Sequence, residues 1–125
     1  MPHRLAQQEQ QRQTALLLGL SVAIVASLAF SDYLSRSILG VAAFWPANAL
    51  LAAGLLTLAG SRRGALTAIF VIFHLAFDLL VGDSPARAAF NTGVDTLEAL
   101  AVQAVFLRLW GGPPRIRTLL SLIHI

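Results

Sequence analysis

The stretch at residues 64–82, GALTAIFVIFHLAFDLLVG, decides the fold class. A helix of this length, rising about 1.5 Å per residue, crosses a bilayer hydrocarbon core of about 30 Å. Three more apolar runs of sufficient length lie at residues 15–34, 41–60 and 86–110. Backbone polar groups cannot be left bare in lipid, so each run must be helical. The sequence therefore predicts an all-α integral membrane protein of about four transmembrane helices, paired as antiparallel hairpins.

The composition indicates a chain solvated by lipid. The 125 residues are 57% hydrophobic and only 12% charged, whereas soluble domains are about a quarter charged. The net charge of +3 comes from nine arginines, with no lysine, against six acids. These arginines lie between the apolar runs rather than on one face with interleaved aromatics, so we expect no nucleic-acid partner. Cysteine is absent, which excludes disulfides, thiolate metal sites and cysteine nucleophiles.

The arginines also predict how the helices are oriented, because cytoplasmic loops carry the excess of basic residues. Seven of them fall on one side of the predicted bundle: Arg4, Arg12, Arg62, Arg63, Arg108, Arg115 and Arg117. Only Arg36 and Arg87 fall on the other side. We therefore expect both ends in the cytoplasm, with the pair Arg62 and Arg63 as topology determinants. Residues 1–14 are expected as a polar tail, with a fraying helix that enters the bilayer as the alternative.

Each end of the chain has a second interpretation. Positive charge, an apolar stretch and the small residues at 27–29 (SLA) are typical of a cleaved signal peptide. The run stays apolar past that point and the predicted number of spans is even, so we favour an uncleaved anchor. Residues 120–125 (LSLIHI) match the translated transposase adapter of common sequencing libraries, which predicts an adapter scar and a natural chain that continues. The alternative is the start of an interfacial segment or a fifth span.

Polar side chains lie inside the predicted spans, where a carboxylate costs about 2.5–3.5 kcal/mol. They are Asn48 on the second span, His74 and Asp78 on the third, and Asn91, Asp95 and Glu98 on the fourth. The third and fourth spans are joined by a short turn and must be antiparallel neighbours. At about 1.5 Å per residue from that turn, His74 is level with Asp95 and Asp78 with Asn91. We therefore expect one polar cluster in the outer half of the bundle.

Two roles stay open for these candidate ligand or signal-sensing residues. Intramembrane polar side chains often only fasten helices together, at about 0.6 kcal/mol per contact, and this role suits Asn48 and Asn91. Fastening needs no formal charge, so ligand, ion or proton sensing is an equal candidate for Asp95 and Glu98, and a lesser one for the pair on the third span. One histidine among acids on two helices is a weak pattern for zinc, and we predict no metal and no other cofactor.

Catalytic machinery is not recognisable in the sequence. It shows no nucleophile–base pair, no glycine-rich phosphate loop and no metal-ligand spacing. The predicted spans also leave no room for a soluble catalytic domain. We therefore predict that this chain is not an enzyme.

Four short motifs point to a family. They are FWPANAL at residues 44–50, SRRGAL at 61–66, NTGVDTLEAL at 91–100 and LRLW at 107–110. In this order they resemble the first type of bacterial membrane-associated sensor domain (MASE).

Trp45, Pro46, Asn91 and Glu98 match the family motifs best. Trp45 is also explained by the aromatic belt at a membrane interface, and Pro46 by the preference of proline for the start of a helix. The chain departs from the family at residues 47–48, where a second Pro and a Gly are usual, and in extra residues at 93–96. The resemblance therefore assigns no role to the aspartate within that last segment.

The resemblance implies the N-terminal half of a multi-pass sensory input module of the bacterial inner membrane. Its expected partners are the lipid bilayer, the missing C-terminal spans, and a cytoplasmic histidine kinase or cyclic-di-GMP output domain; a homodimer stays open. A rival is a small-molecule transporter or its substrate-binding membrane subunit, which also uses midplane carboxylates. A purely structural membrane subunit is a third possibility. The continuing sequence discriminates them, because a sensor runs on into a soluble signalling domain.

Overall fold

The computed structural model describes residues 2–34 and 46–111, and these residues form four α-helices. The helices are α1 (Pro2–Leu34), α2 (Pro46–Thr57), α3 (Ser61–Leu80) and α4 (Pro85–Trp110). The predicted all-helical class is confirmed over this part of the chain. Within it, α1 over His3–Ser31 and the whole of α3 are long and apolar enough to cross a membrane. α4 has 26 residues, but its polar side chains make it less apolar than these two helices, and it is not a candidate span by the same test.

α1 begins earlier than the predicted span. Residues 2–14, expected as a polar tail, form its first turns, so the helix has 33 residues and is about 50 Å long. This segment is rich in Gln, Arg and Glu and lacks glycine, and such residues favour helix. Its one proline is Pro2, at the first helical position, where the missing N–H costs nothing.

α2 ends at Thr57, three residues before the end of the predicted span. Residues 41–45 of the predicted span lie outside the described part of the chain. α2 is followed by a turn in which Gly60 has a φ of +57°, a left-handed conformation that favours glycine.

Well-capped helix ends produce the tight turn between α3 and α4. Gly82 has a φ of +97°, and the Asp83 N–H donates to the Asp78 carbonyl at 3.0 Å. The Ser84 hydroxyl then caps α4 by accepting the Arg87 N–H at 3.3 Å. The two helices are consequently antiparallel neighbours, as their short connection predicted.

α2 is the most buried helix of the described bundle. Like α3, it contacts all three other helices, whereas α1 and α4 do not contact each other over the described residues. Its Leu51 and Leu55 pack with Ile24 of α1 and with Leu66 and Phe70 of α3 in the apolar core. Because lipid tails are as apolar as these side chains, the side chains stabilise the bundle through close packing rather than through transfer out of water. With seven of its 12 residues buried, α2 is thus the described helix most enclosed by protein.

Hydroxyl groups along the helices are satisfied by the helices themselves. Ser21, Thr67 and Thr96 donate to the carbonyl four residues earlier, at 2.7, 2.9 and 2.7 Å. An apolar solvent offers no hydrogen bonds, so this backbone bonding removes the cost of carrying a hydroxyl into lipid. Thr92 on α4 is an exception, because its buried hydroxyl makes no hydrogen bond with a described residue.

Candidate functional site

The candidate site is centred on His74, on the side of α3 that faces the bundle. Asp78 lies one turn further along α3, and the spacing of four residues puts both side chains on one face. His74 Nε2 lies 3.8 Å from Asp78 Oδ1. One turn earlier, the Phe70 ring meets the imidazole edge-on, with the centroids 5.2 Å apart. The imidazole, with 9% of its residue exposed, is thereby held between a carboxylate and an aromatic ring.

α4 brings a second carboxylate to the same imidazole. His74 Nε2 lies 3.6 Å from Asp95 Oδ2, the pairing expected from equal depth on antiparallel helices. Both distances exceed the hydrogen-bond range of about 2.7–3.2 Å, so these contacts are electrostatic. Asn91, one turn before Asp95, lies beside Asp78. His74, Asp78 and Asp95 are called the His74 cluster below.

A second polar contact joins α2 to α4. The side-chain amide of Asn48 donates to Glu98 Oε2 at 3.4 Å. Asn48 is buried, with 8% of the residue exposed, whereas Glu98 is exposed on the outside of the described bundle. This contact satisfies one Glu98 oxygen and ties the start of α2 to the middle of α4.

The single polar cluster expected from the sequence is thus divided into two contact groups. Asp95 and Glu98 are three residues apart, which on a helix of 3.6 residues per turn separates their directions by about 60°. Asp95 therefore faces α3, and Glu98 faces α2. Depth along the helix was sufficient to predict the first contact, but the second depends on where α2 packs.

Three buried polar atoms make no hydrogen bond with any described residue. They are His74 Nδ1, Asp78 Oδ2 and Thr92 Oγ1. A buried polar group without a partner costs about 1–3 kcal/mol, and two of the three belong to the His74 cluster. The cluster is therefore not a saturated structural network.

The charges around the cluster do not balance. Over the described residues, His74 is the one basic side chain within 4 Å of Asp78 or Asp95, and Arg87 instead pairs with Asp83 at 3.6 Å. No group of three or more candidate ligands there is arranged to hold a metal ion. Two carboxylates consequently share one imidazole, which is a cation only when protonated.

The comparison with known families rests on most of the chain. The MASE1 family model matches residues 14–125. The chain belongs to the MASE1 family. MASE1 domains are membrane-associated sensor domains, so this chain is a sensory input domain associated with a membrane, as its four motifs predicted. No curated protein and no solved structure shows significant similarity to it.

Three side chains of this MASE1 domain hold the C-terminal end of α2. The amide of Gln13 on α1 accepts the Ala59 N–H at 3.1 Å and donates to the Thr57 carbonyl at 3.4 Å. Gln103 Nε2 on α4 donates to the Leu55 carbonyl at 2.9 Å, and Arg63 Nε on α3 donates to the Leu58 carbonyl at 2.7 Å. Gln13, Arg63 and Gln103 are called the α2 clamp below.

Sequence reasoning did not identify the clamp. The last carbonyl groups of a helix lack partners in their own helix, and in apolar surroundings they must find them elsewhere. A signal was present in Gln103, an amide in an otherwise apolar stretch of α4. Arg63, predicted to determine topology, has this additional role in the structure.

The remaining predicted residues of the MASE1 motifs have the following positions. Pro46 is the first residue of α2, which agrees with the preference of proline for a helix start. Arg62 is half-buried in the first turn of α3. Trp45 and the segment at 120–125 lie outside the described residues.

Proposed function

We propose that this chain is the N-terminal half of a sensory input module that crosses the bacterial inner membrane several times, with both ends in the cytoplasm. In the parent protein the module controls a cytoplasmic histidine kinase or an enzyme that makes or degrades cyclic-di-GMP. The observation that carries the proposal is the contact of His74 with Asp95 inside a domain of a sensor family. Ionisable groups between helices are costly in a membrane and typically functional.

The contacts of α4 suggest how a stimulus at this site reaches the cytoplasm. α4 contacts α3 through the His74 cluster and α2 through both Glu98 and Gln103. A change in the packing of α3 against α4 therefore also moves α4 relative to the end of α2. In the proposed orientation that end lies at the cytoplasmic side, next to Arg62. A stimulus that favours one of two packing arrangements would shift the population that the output domain reads.

The orientation can be tested directly because the chain contains no cysteine. Ala86→Cys and Ser61→Cys are matched single substitutions of exposed residues, one near each end of α3. We expect a membrane-impermeant maleimide added to intact spheroplasts to label Ala86→Cys. It should label Ser61→Cys only after the membrane is permeabilised. The reverse pattern, or labelling of both variants from outside, would contradict the proposed orientation.

The sensory role is tested with Asp95→Asn in the full parent protein. This variant keeps the size of the side chain but removes one charge that faces His74. We expect the basal output, measured as autophosphorylation or cyclic-di-GMP level at equal protein abundance, to change at least several-fold. Asp83→Asn is the matched control, because it removes the same charge from a carboxylate that pairs with Arg87 and does not contact His74, although its charge acts on Asp78.

An unchanged output in Asp95→Asn would count against the sensory role of the site. If Asp95→Asn instead abolished uptake or efflux of a small molecule while the output stayed constant, the transporter alternative would replace it.

A further inference from the structure

The His74 cluster has a feature that a purely structural contact does not require. Its histidine is nine-tenths buried and turns Nε2 toward two carboxylates without a hydrogen bond to either, at 3.8 and 3.6 Å. Its Nδ1 has no partner among the described residues. A histidine that served only to fasten α3 to α4 would donate one short hydrogen bond and leave no second buried nitrogen unsatisfied.

The groups around His74 make this region negative. On α3 it is faced by Asp78, and on α4 by Asp95, with Asn91 beside the former. Asp83, in the turn after α3, adds a negative charge near Asp78 and is itself paired with Arg87. The described residues of α2 contain no titratable side chain. On the outer end of α1, Tyr33 is exposed, and the side chain of Asp32 lies outside the described part.

A positive charge is therefore what the cluster lacks. Two carboxylates in a medium of low dielectric repel each other and lose their hydration, and a cation between them removes both costs.

The distances indicate which cation fits. His74 Nε2 already lies 3.8 and 3.6 Å from the two carboxylates, so a cation formed on the imidazole itself needs no further space. The described residues offer no group of three or more metal ligands. A proton needs no cavity, and on the imidazole it produces a cation that already lies against both carboxylates.

We propose that the His74 cluster is a proton-binding site and that a proton is the stimulus this domain detects. The inference rests on the sensory role proposed above. With the proton bound, the imidazolium attracts Asp78 and Asp95, so α3 and α4 are held together. Without it, the two carboxylates repel each other and the hairpin opens at this level. Acidification of the outer compartment therefore closes the hairpin and alkalinisation opens it.

Proton binding is tested on the full chain in lipid nanodiscs with ¹⁵N-labelled histidine. The chain has three histidines, and replacing His3 and His124 by Gln leaves the signal of His74 alone. We expect its nitrogen resonances to change from those of neutral imidazole to those of imidazolium as the pH is lowered. A spectrum that stays neutral throughout would overturn the proposal. So would a shift at constant pH on addition of Zn²⁺, because the site would then bind a metal ion.

The helix movement is tested with spin labels on cysteines at Ala76 of α3 and Val94 of α4, both exposed. We expect the distance between the labels to shorten on acidification. The change should be lost in His74→Gln and in Asp95→Asn, and retained in Asp83→Asn. A pH-dependent distance that persists in His74→Gln would refute the assignment to this residue. If His74 takes up a proton but the output of the parent protein ignores pH, the proposed sensory function fails while the proton site stands.

Discussion

The close approach of α2 to α3 at Gly54 supports a quantitative prediction. A Cβ added at this position would collide with the side chain of Leu66 and would lie 3.1 Å from Leu20 Cδ1. Leu66 is fully buried, so a rotation of its side chain away from the new methyl group disturbs the core residues around it. Forcing an extra methyl group into a filled core costs about 1–3 kcal/mol. Gly54→Ala should therefore destabilise the bundle through a clash involving α1, α2 and α3.

Helix propensity opposes this cost, so the measurement needs a matched control. Alanine is favoured over glycine inside a helix by about 1 kcal/mol, and Gly54→Ala gains that amount as well. Gly93→Ala on α4 has the same gain, but an added Cβ there meets nothing within 4 Å. The difference between the two variants isolates the clash, and we expect Gly54→Ala to be the less stable by about 1–3 kcal/mol.

Unfolding of the chain in lipid–detergent micelles, followed by circular dichroism during titration with SDS, measures this difference. Both variants are compared with the wild-type chain at equal protein and lipid concentration. If Gly54→Ala proved as stable as Gly93→Ala, Leu66 would be free to move and the close packing of α2 described above would be refuted.

Two further predictions concern hydrogen bonds. Gln13→Ala removes the acceptor of the Ala59 N–H, and Gln103→Leu removes the donor to the Leu55 carbonyl. Each should lower the free energy of unfolding by about 0.5–1.5 kcal/mol. The control Gln11→Ala, at an exposed position of α1, should change it by less than about 0.5 kcal/mol. Equal effects of Gln11→Ala and Gln13→Ala would disprove the clamp. Ser84→Ala removes the cap of α4 and should cost about 1 kcal/mol, with hydrogen exchange faster in the first turn of α4 but not in α3. Unaltered exchange there would show that the cap contributes nothing.

Much of the site follows from the sequence because α3 and α4 are joined by a short turn. Once two apolar helices are joined in this way, a constant rise per residue places His74 opposite Asp95, and the structure has their side chains 3.6 Å apart. The division into two contact groups does not follow from the sequence, because the partner of Glu98 is known only once the position of α2 is known. Residues 2–14 are polar, so hydropathy places them outside the apolar span, but their residue types also favour a helix. Hydropathy alone therefore did not determine where α1 begins.

Hydropathy, arginine spacing and four short motifs determined that this chain is a helical, membrane-associated sensor domain, because those properties depend on residues close together in sequence. The burial of α2 was decided by tertiary structure, because seven of its described residues are enclosed only when the neighbouring helices surround them. The α2 clamp was decided in the same way, since Gln13 and Gln103 lie on helices far apart in sequence and meet only at the end of α2. Local patterns specify which segments are helical, and the need of buried backbone and charged groups for partners specifies how those helices are arranged.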